Sequence, residues 1–185
     1  MRVARKNDEQ QEHMSENHVI SLCDKTGNMV KPWADAGFIC WCVDVQHSIR
    51  KTKVDGNIRF VWGDIRTWVP PVEVRRNLRI LFAFPPCTHV AVSGARDSDY
   101  SRVFDPCCYM IENPVGKFSD HMGKPNHTFQ PWNYGENYTK LTCLWTGNGF
   151  VMPPKKTIDK PDCVDGLMIR DLSPSKERQD LRSIT

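Results

Sequence analysis

A thiol and a carboxyl group, 25 positions apart, offer this chain's clearest chemistry. Residues 80–89 read Ile-Leu-Phe-Ala-Phe-Pro-Pro-Cys-Thr-His, an apolar run that stops at Pro85-Pro86 and delivers Cys87. The carboxyl group is Glu112, in Met110-Ile111-Glu112-Asn113-Pro114. A thiolate is a strong nucleophile, and a carboxylic acid of raised pKa can donate a proton. Taken singly, Cys87 reads equally as a buried bystander and Glu112 as a surface residue. Three more features precede them. In the turn Asp24-Lys25-Thr26-Gly27-Asn28 the glycine lets a cofactor approach the backbone closely, although an ordinary turn has the same composition. Asp44 follows about 20 residues later, where a carboxylate can accept hydrogen bonds from ribose hydroxyls or simply cap a turn. Asp64, in Gly63-Asp64-Ile65, can accept from an exocyclic adenine amine, or again close a turn.

Each feature stands behind a candidate strand. The runs Val19 to Cys23, Phe38 to Val45, Ile58 to Trp62, Leu78 to Phe84, Cys108 to Ile111 and Leu141 to Trp145 are apolar and β-rich. Met29 to Ala36 suits a short helix, with Pro32 in its first turn and Gly37 at its end. Strands separated by turn and helix signals predict a mostly parallel α/β sheet with helices on both faces. Such sheets hold ligands at the carboxyl ends of their strands. Residues 115–138, rich in Gly, Pro, Asn, His and aromatics, read as an irregular loop, a possible substrate contact or a packed aromatic segment. The expected organisation is a polar N-terminal tail over 1–17, a core domain over 18–152 and a charged, proline-rich tail over 153–185, with at most one short helix near residues 175–182.

With 185 residues, 39% of them hydrophobic, the chain can build one domain with a real core. No apolar run approaches the ~20 residues of a membrane span. Residues 1–17 lack the apolar centre of a secretory signal, so a cytoplasmic protein with reduced thiols is expected. The eight cysteines include no Cys-x-x-Cys, and neither Cys40-x-Cys42 nor Cys107-Cys108 has zinc-ligand spacing, so no metal site is expected. Net charge is +3. Arg50, Lys51, Lys53, Arg59, Arg66, Arg75, Arg76 and Arg79 crowd one stretch, which suits a phosphate backbone as well as it suits a solvated face.

The order glycine loop, acid, Gly-Asp-Ile, Pro-Pro-Cys, Glu-Asn-Pro, each behind its own strand, resembles the cytosine-5 DNA methyltransferase family. The resemblance covers residues 19–114. Ser21-Leu22-Cys23-Asp24-Lys25-Thr26-Gly27-Asn28, Pro85-Pro86-Cys87-Thr88-His89 and Ala91-Val92-Ser93-Gly94-Ala95-Arg96 look closest to small methyltransferase-like proteins of phages and prophages. Met110-Ile111-Glu112-Asn113-Pro114-Val115 and Leu144-Trp145-Thr146-Gly147-Asn148-Gly149 add to that match. The resemblance implies a reduced Rossmann-like methyltransferase fold, S-adenosylmethionine as cofactor and DNA as partner. It implies that Cys87 attacks carbon 6 of cytosine while Glu112 protonates ring nitrogen 3. Asp24, Thr26, Gly27, Asn28, Asp44, Asp64, Ile65 and Pro85 would line the cofactor, and Ser93, Arg96 and Asn113 the substrate.

The pattern departs from the family in three ways. The link from Cys87 to Glu112 allows about two helical turns between Asp97 and Phe104, where a parallel crossover usually holds a helix of about ten or more residues. No sizeable target-recognition region is present, and no arginine motif follows the sixth strand; Arg170, Arg178 and Arg182 are candidates by position alone. These departures keep two alternatives open: a non-catalytic binding protein of the same fold, and an enzyme acting on a free cytosine nucleotide.

Overall fold

A computed structural model describes residues 17–86, 106–116 and 118–160. Eight strands form one sheet: β1 (His18–Leu22), β2 (Ile39–Asp44), β3 (Lys53–Asp55), β4 (Ile58–Trp62), β5 (Leu78–Ala83), β6 (Cys108–Pro114), β7 (His127–Phe129) and β8 (Thr142–Gly147). Three five-residue helices accompany them: α1 (Lys31–Asp35), α2 (Val72–Arg76) and α3 (Phe118–Met122). The spatial order is β3-β4-β2-β1-β5-β6-β8-β7. The five central strands are parallel; β3 pairs antiparallel with β4, β8 with β6, and β7 with β8. The mostly parallel sheet expected from the sequence is therefore restricted to the centre, with antiparallel strands at both edges.

The pattern of burial explains the parallel centre. Every residue of β1 is buried, and so is every residue of β5 except Arg79. Strands covered on both faces read as continuous apolar runs instead of alternating ones. Side chains alternate between two cores. One holds Ile20, Leu22, Val43, Leu81 and Ile111 with Val74 of α2 and Phe118 of α3. The other holds Val19, Cys40, Cys42, Ile80 and Phe82 against Val30, Trp33 and Ala34 of α1 and its approach. Helical segments thus cover both faces, but each is barely more than one turn.

The ends of α1 follow its composition. Proline lies in its first turn, where the missing N–H has no intrahelical partner to lose. Gly37 then takes φ +94° and donates to the Ala34 carbonyl at 3.0 Å, closing the helix in left-handed geometry. Helix α2 is not among the expected elements. Glu73 in its first turn and Arg75 and Arg76 in its last complement the helix dipole.

The segment over 115–138, expected to be irregular, contains α3, β7 and a 3-10 turn (Pro131–Tyr134). Its aromatics pack inward: Phe118 meets Trp145 edge-on at 4.7 Å and Phe129 meets Tyr134 at 5.2 Å. The N-terminal tail over 1–16 and the helix expected near residues 175–182 lie outside the described residues.

Leu81 is fully buried at the centre of the sheet, so Leu81→Ala is expected to cost about 2–5 kcal/mol of unfolding free energy in urea titration. Val54→Ala, on the exposed edge, is expected to stay within about 0.5 kcal/mol.

Candidate functional site

The chain leaves β1 leftwards for β2 and β4, then returns past β1 to β5 and β6. The reversal falls between β1 and β5, and crevices outside the carboxyl ends of strands at such a switch point hold ligands. A single apolar row crosses the sheet just below that edge. Its members are Val61, Val43, Leu22, Ala83, Ile111 and Trp145, paired in register. All six belong to the same core face. The candidate residues begin one position beyond the row: Asp44 beside Trp62, and Glu112 beside Leu144. Cys23 and Phe84 stand at the same level, their amides bonded to the Val43 and Leu22 carbonyls at 2.8 and 3.0 Å.

Asp24 organises the loop after β1. Its Oδ1 accepts from the Gly27 amide at 2.7 Å, the Thr26 amide at 3.0 Å and the Thr26 hydroxyl at 3.2 Å. Its Oδ2 accepts from the Ser21 hydroxyl at 2.9 Å. Asp24 is thus buried inside the loop and holds it from within, where the sequence reading put it on the cofactor. Thr26 and Asn28 are exposed on the loop's outer side. Gly27 has φ +74°, and a Cβ there would lie 3.0 Å from the Phe60 ring, so both conformation and space demand glycine.

The neighbouring thiols are inert. Burial pushes Cys40 up to about 12. Cys42 is raised by burial first and by the Asp24 carboxylate second. Both stay protonated, and Cys42 points its sulfur at Asp24 Oδ2 from 3.9 Å.

Asp44 is buried at the end of β2, and its Oδ1 accepts from the Gln46 amide at 2.7 Å. No partner for its Oδ2 occurs among the described residues, which leaves an acceptor for a ligand hydroxyl. Asp64 closes a turn: it accepts from the Arg66 amide at 3.0 Å and pairs with the Arg66 guanidinium. The turn needs Gly63, because a Cβ there would lie 2.5 Å from Val43 and 2.8 Å from Trp68. Ile65 packs against the core beneath. Asp64 thus sits at the expected strand end, with an exposed guanidinium already on its carboxylate.

On the other side of the switch point, β6 runs through Pro114, so Glu112-Asn113-Pro114 lies within the strand and does not follow it. The short crossover does not displace β6, whose Ile111 pairs with Ala83. Asn113 is buried, and its Nδ2 donates to the Pro85 carbonyl at 2.8 Å. This bond fastens the strand that carries Glu112 to the Pro-Pro turn that leads to Cys87. Asn113, read from sequence as a substrate contact, has its amide committed to that backbone. Cys87, Ser93 and Arg96 lie outside the described residues.

Glu112 has unusual surroundings. Its Oε1 is buried and has no hydrogen-bond partner among the described residues. Lys140 Nζ stands 3.8 Å away, close enough to attract but beyond hydrogen-bonding distance. Burial raises the Glu112 pKa above its ordinary 4.5, and Lys140 only partly offsets that rise. Burial favours the neutral acid, a form able to donate a proton.

Sequence reasoning missed Ser21, Phe60, His47 and Lys140. Ser21 was legible as the polar residue within an apolar strand, and the rest meet the site only through tertiary contact. Four of the eight basic residues over 50–79 are engaged separately. Lys53 lies over Phe60 and Arg59 over Trp41, rings that pack into opposite cores of the sheet. Arg66 serves Asp64, and Arg79 donates to Asn17 at 2.7 Å. Among the described residues no group of three or more His, Cys, Asp or Glu could hold a metal ion, and no helix is long and apolar enough to cross a membrane.

No protein-family model and no curated protein matches the chain. Among solved structures it is similar to a candidate DNA modification methyltransferase encoded within a prophage (E. coli), at 15% identity and a TM-score of 0.49. The alignment covers 86% of this chain and 56% of that one, so the chain spans about half that protein's length.

Asp24→Ala would leave two loop amides without their acceptor and is expected to cost about 1–3 kcal/mol in urea titration. The raised Glu112 pKa predicts a pH slope. As pH rises from about 4.5 through the raised native value, the unfolded chain loses this proton first, so native stability falls. Glu112→Gln is expected to remove that loss, so its urea midpoint gains on the parent as pH rises. Parallel pH profiles for the two proteins would contradict the assignment.

Proposed function

We propose that this protein is an S-adenosylmethionine-dependent methyltransferase that acts on carbon 5 of cytosine in DNA. The observation that carries the reading is Glu112: a buried carboxyl oxygen with no hydrogen bond among the described residues and only Lys140 nearby at 3.8 Å, on the strand that Asn113 fastens to Pro85. A buried acid favoured in its neutral form is suited to donate to ring nitrogen 3 of cytosine, and Cys87 follows Pro85-Pro86 directly in sequence.

The loop after β1 fits the cofactor's chemistry. Helix-start loops that bind dinucleotides offer free amides to a pyrophosphate. Here the Thr26 and Gly27 amides already serve Asp24, and the buried carboxylate repels phosphate. That charge suits a cationic, phosphate-free ligand, as a sulfonium is. Gly27 lets the ligand lie close to the backbone, Asp44 Oδ2 is placed for a ribose hydroxyl, and Asp64 with Ile65 stands next along the edge for adenine.

When bound, S-adenosylmethionine supplies an electrophilic methyl group. The chain's own residues prepare the acceptor. The Cys87 thiolate adds to carbon 6 while Glu112 delivers its proton to nitrogen 3, so the ring's negative charge is neutralised as the bond forms. Carbon 5 would then be the nucleophile toward the methyl group that S-adenosylmethionine would supply, with S-adenosylhomocysteine as the leaving group. Loss of the carbon-5 proton to a base then re-forms the double bond, expels the Cys87 thiolate and returns the nitrogen-3 proton to Glu112. In duplex DNA the target base must leave the stack first.

One observation favours a second reading, action on a free cytosine nucleotide. Two of the basic residues over 50–79, Lys53 and Arg59, lie over rings on opposite faces of the sheet and so do not share one phosphate-binding surface. Transfer of labelled methyl groups to DNA and to deoxycytidylate separates the readings. On either substrate Cys87→Ser is expected to abolish transfer, and Glu112→Gln to slow it about 10²–10⁴-fold. Transfer that survives Cys87→Ser excludes the covalent route. Cofactor binding without transfer to either substrate identifies a non-catalytic binding protein.

A further inference from the structure

We propose that His47 is a positioning residue of the cofactor site, locking the loop after β1 to the turn after β2 through the Asp24 carbonyl. This rests on the reading of that edge as a site for S-adenosylmethionine. His47 Nε2 lies 3.1 Å from the Asp24 backbone oxygen, across 23 positions of sequence. A carbonyl only accepts, so Nε2 carries the proton.

Two further contacts and one backbone angle give that bond its leverage. The His47 ring meets Phe60 edge-on at 5.4 Å, and Phe60 is the ring that floors Gly27. His47, Phe60 and the glycine of the loop are therefore packed one against the next. The His47 amide also donates to the Asp44 carbonyl at 3.2 Å, so the same residue is tied to the candidate ribose acceptor. Finally, Cys23 holds φ +57°, a left-handed conformation that residues other than glycine and asparagine rarely adopt. Something must hold Asp24 where that turn puts it. The side chain is held by the loop's amides and Ser21, and the backbone oxygen by His47.

One histidine thus joins the part of the site that would face the amino-acid end of the cofactor to the part that would face its ribose. Its contribution is geometric: without the Nε2 donor the two segments are no longer fixed to each other, and the ligand must order them on binding.

The test is calorimetric titration of S-adenosylhomocysteine into the full chain and two variants. His47→Phe keeps a ring against Phe60 but removes the donor, and is expected to weaken binding about five- to tenfold. His47→Gln restores a donor and is expected to recover most of that loss. A ring that acted by packing alone would give the reverse ranking, and that result overturns the proposal. So does parental affinity in His47→Phe. No binding to the parent chain overturns the cofactor reading itself and this proposal with it. A second measurement needs no variant. Nitrogen-15 shifts of His47 in the parent protein are expected to report the Nε2–H tautomer, with slower proton exchange when S-adenosylhomocysteine is added. The Nδ1–H tautomer overturns the proposal.

Discussion

The left half of the site depends on one buried carboxylate. Asp24 gathers two backbone amides and two hydroxyls into a loop that would otherwise leave those donors unsatisfied. Buried polar groups left without partners are costly, so the loop has one favourable arrangement, with its amides turned inward. That arrangement has a chemical consequence. A loop whose amides face its own aspartate has little to offer a phosphate, and its buried negative charge favours a cation. The ligand class proposed for the sheet edge therefore rests on where a single side chain sits.

The right half depends on a neutral interaction that does comparable work. The Asn113 amide holds the Pro85 carbonyl, beside a Pro-Pro pair whose φ angles the rings fix. Glu112 is one residue earlier on the same strand, one row beyond the apolar line that crosses the sheet. Its buried oxygen accepts no hydrogen bond among the described residues and has only Lys140 at 3.8 Å, the opposite of what stability favours, since a buried acceptor without a donor costs free energy. Stability arguments explain the contacts of Asp24, Asp64 and Asn113 along this edge. Glu112 is the exception, and such exceptions gather at functional sites.

The sequence made the strands legible where burial on both faces demands continuous apolar residues, as in β1 and β5, and the bounds of β4 agree with the run Ile58 to Trp62. It hid β3 and β7, whose Lys-Val-Asp and His-Thr-Phe carry no pattern and become strands only because neighbours offer them ladders. It also shortened β6, since Glu112-Asn113-Pro114 reads as a turn; pairing of Asn113 and Pro114 with Cys143 and Thr142 of β8 keeps them extended. The order of acidic residues along the strand ends was visible in the sequence. Their division of labour was not. That Asp24 supports the loop, that Asp64 is paired with Arg66 and that Asn113 fastens a backbone are facts of contact. His47 has no sequence signal at all, because its partner lies 23 positions away.

The central claim is that Cys87 adds covalently to a cytosine held for methylation. A DNA duplex carrying 5-fluorocytosine tests it most directly, because fluorine replaces the proton that must leave before the enzyme is released. Incubated with this substrate and S-adenosylmethionine, the protein is predicted to form a stable adduct whose mass equals protein plus methylated oligonucleotide, with the linkage mapped by peptide mass spectrometry to Cys87. Methylation of ordinary cytosine DNA without any such adduct, or an adduct mapped to another residue, would contradict it.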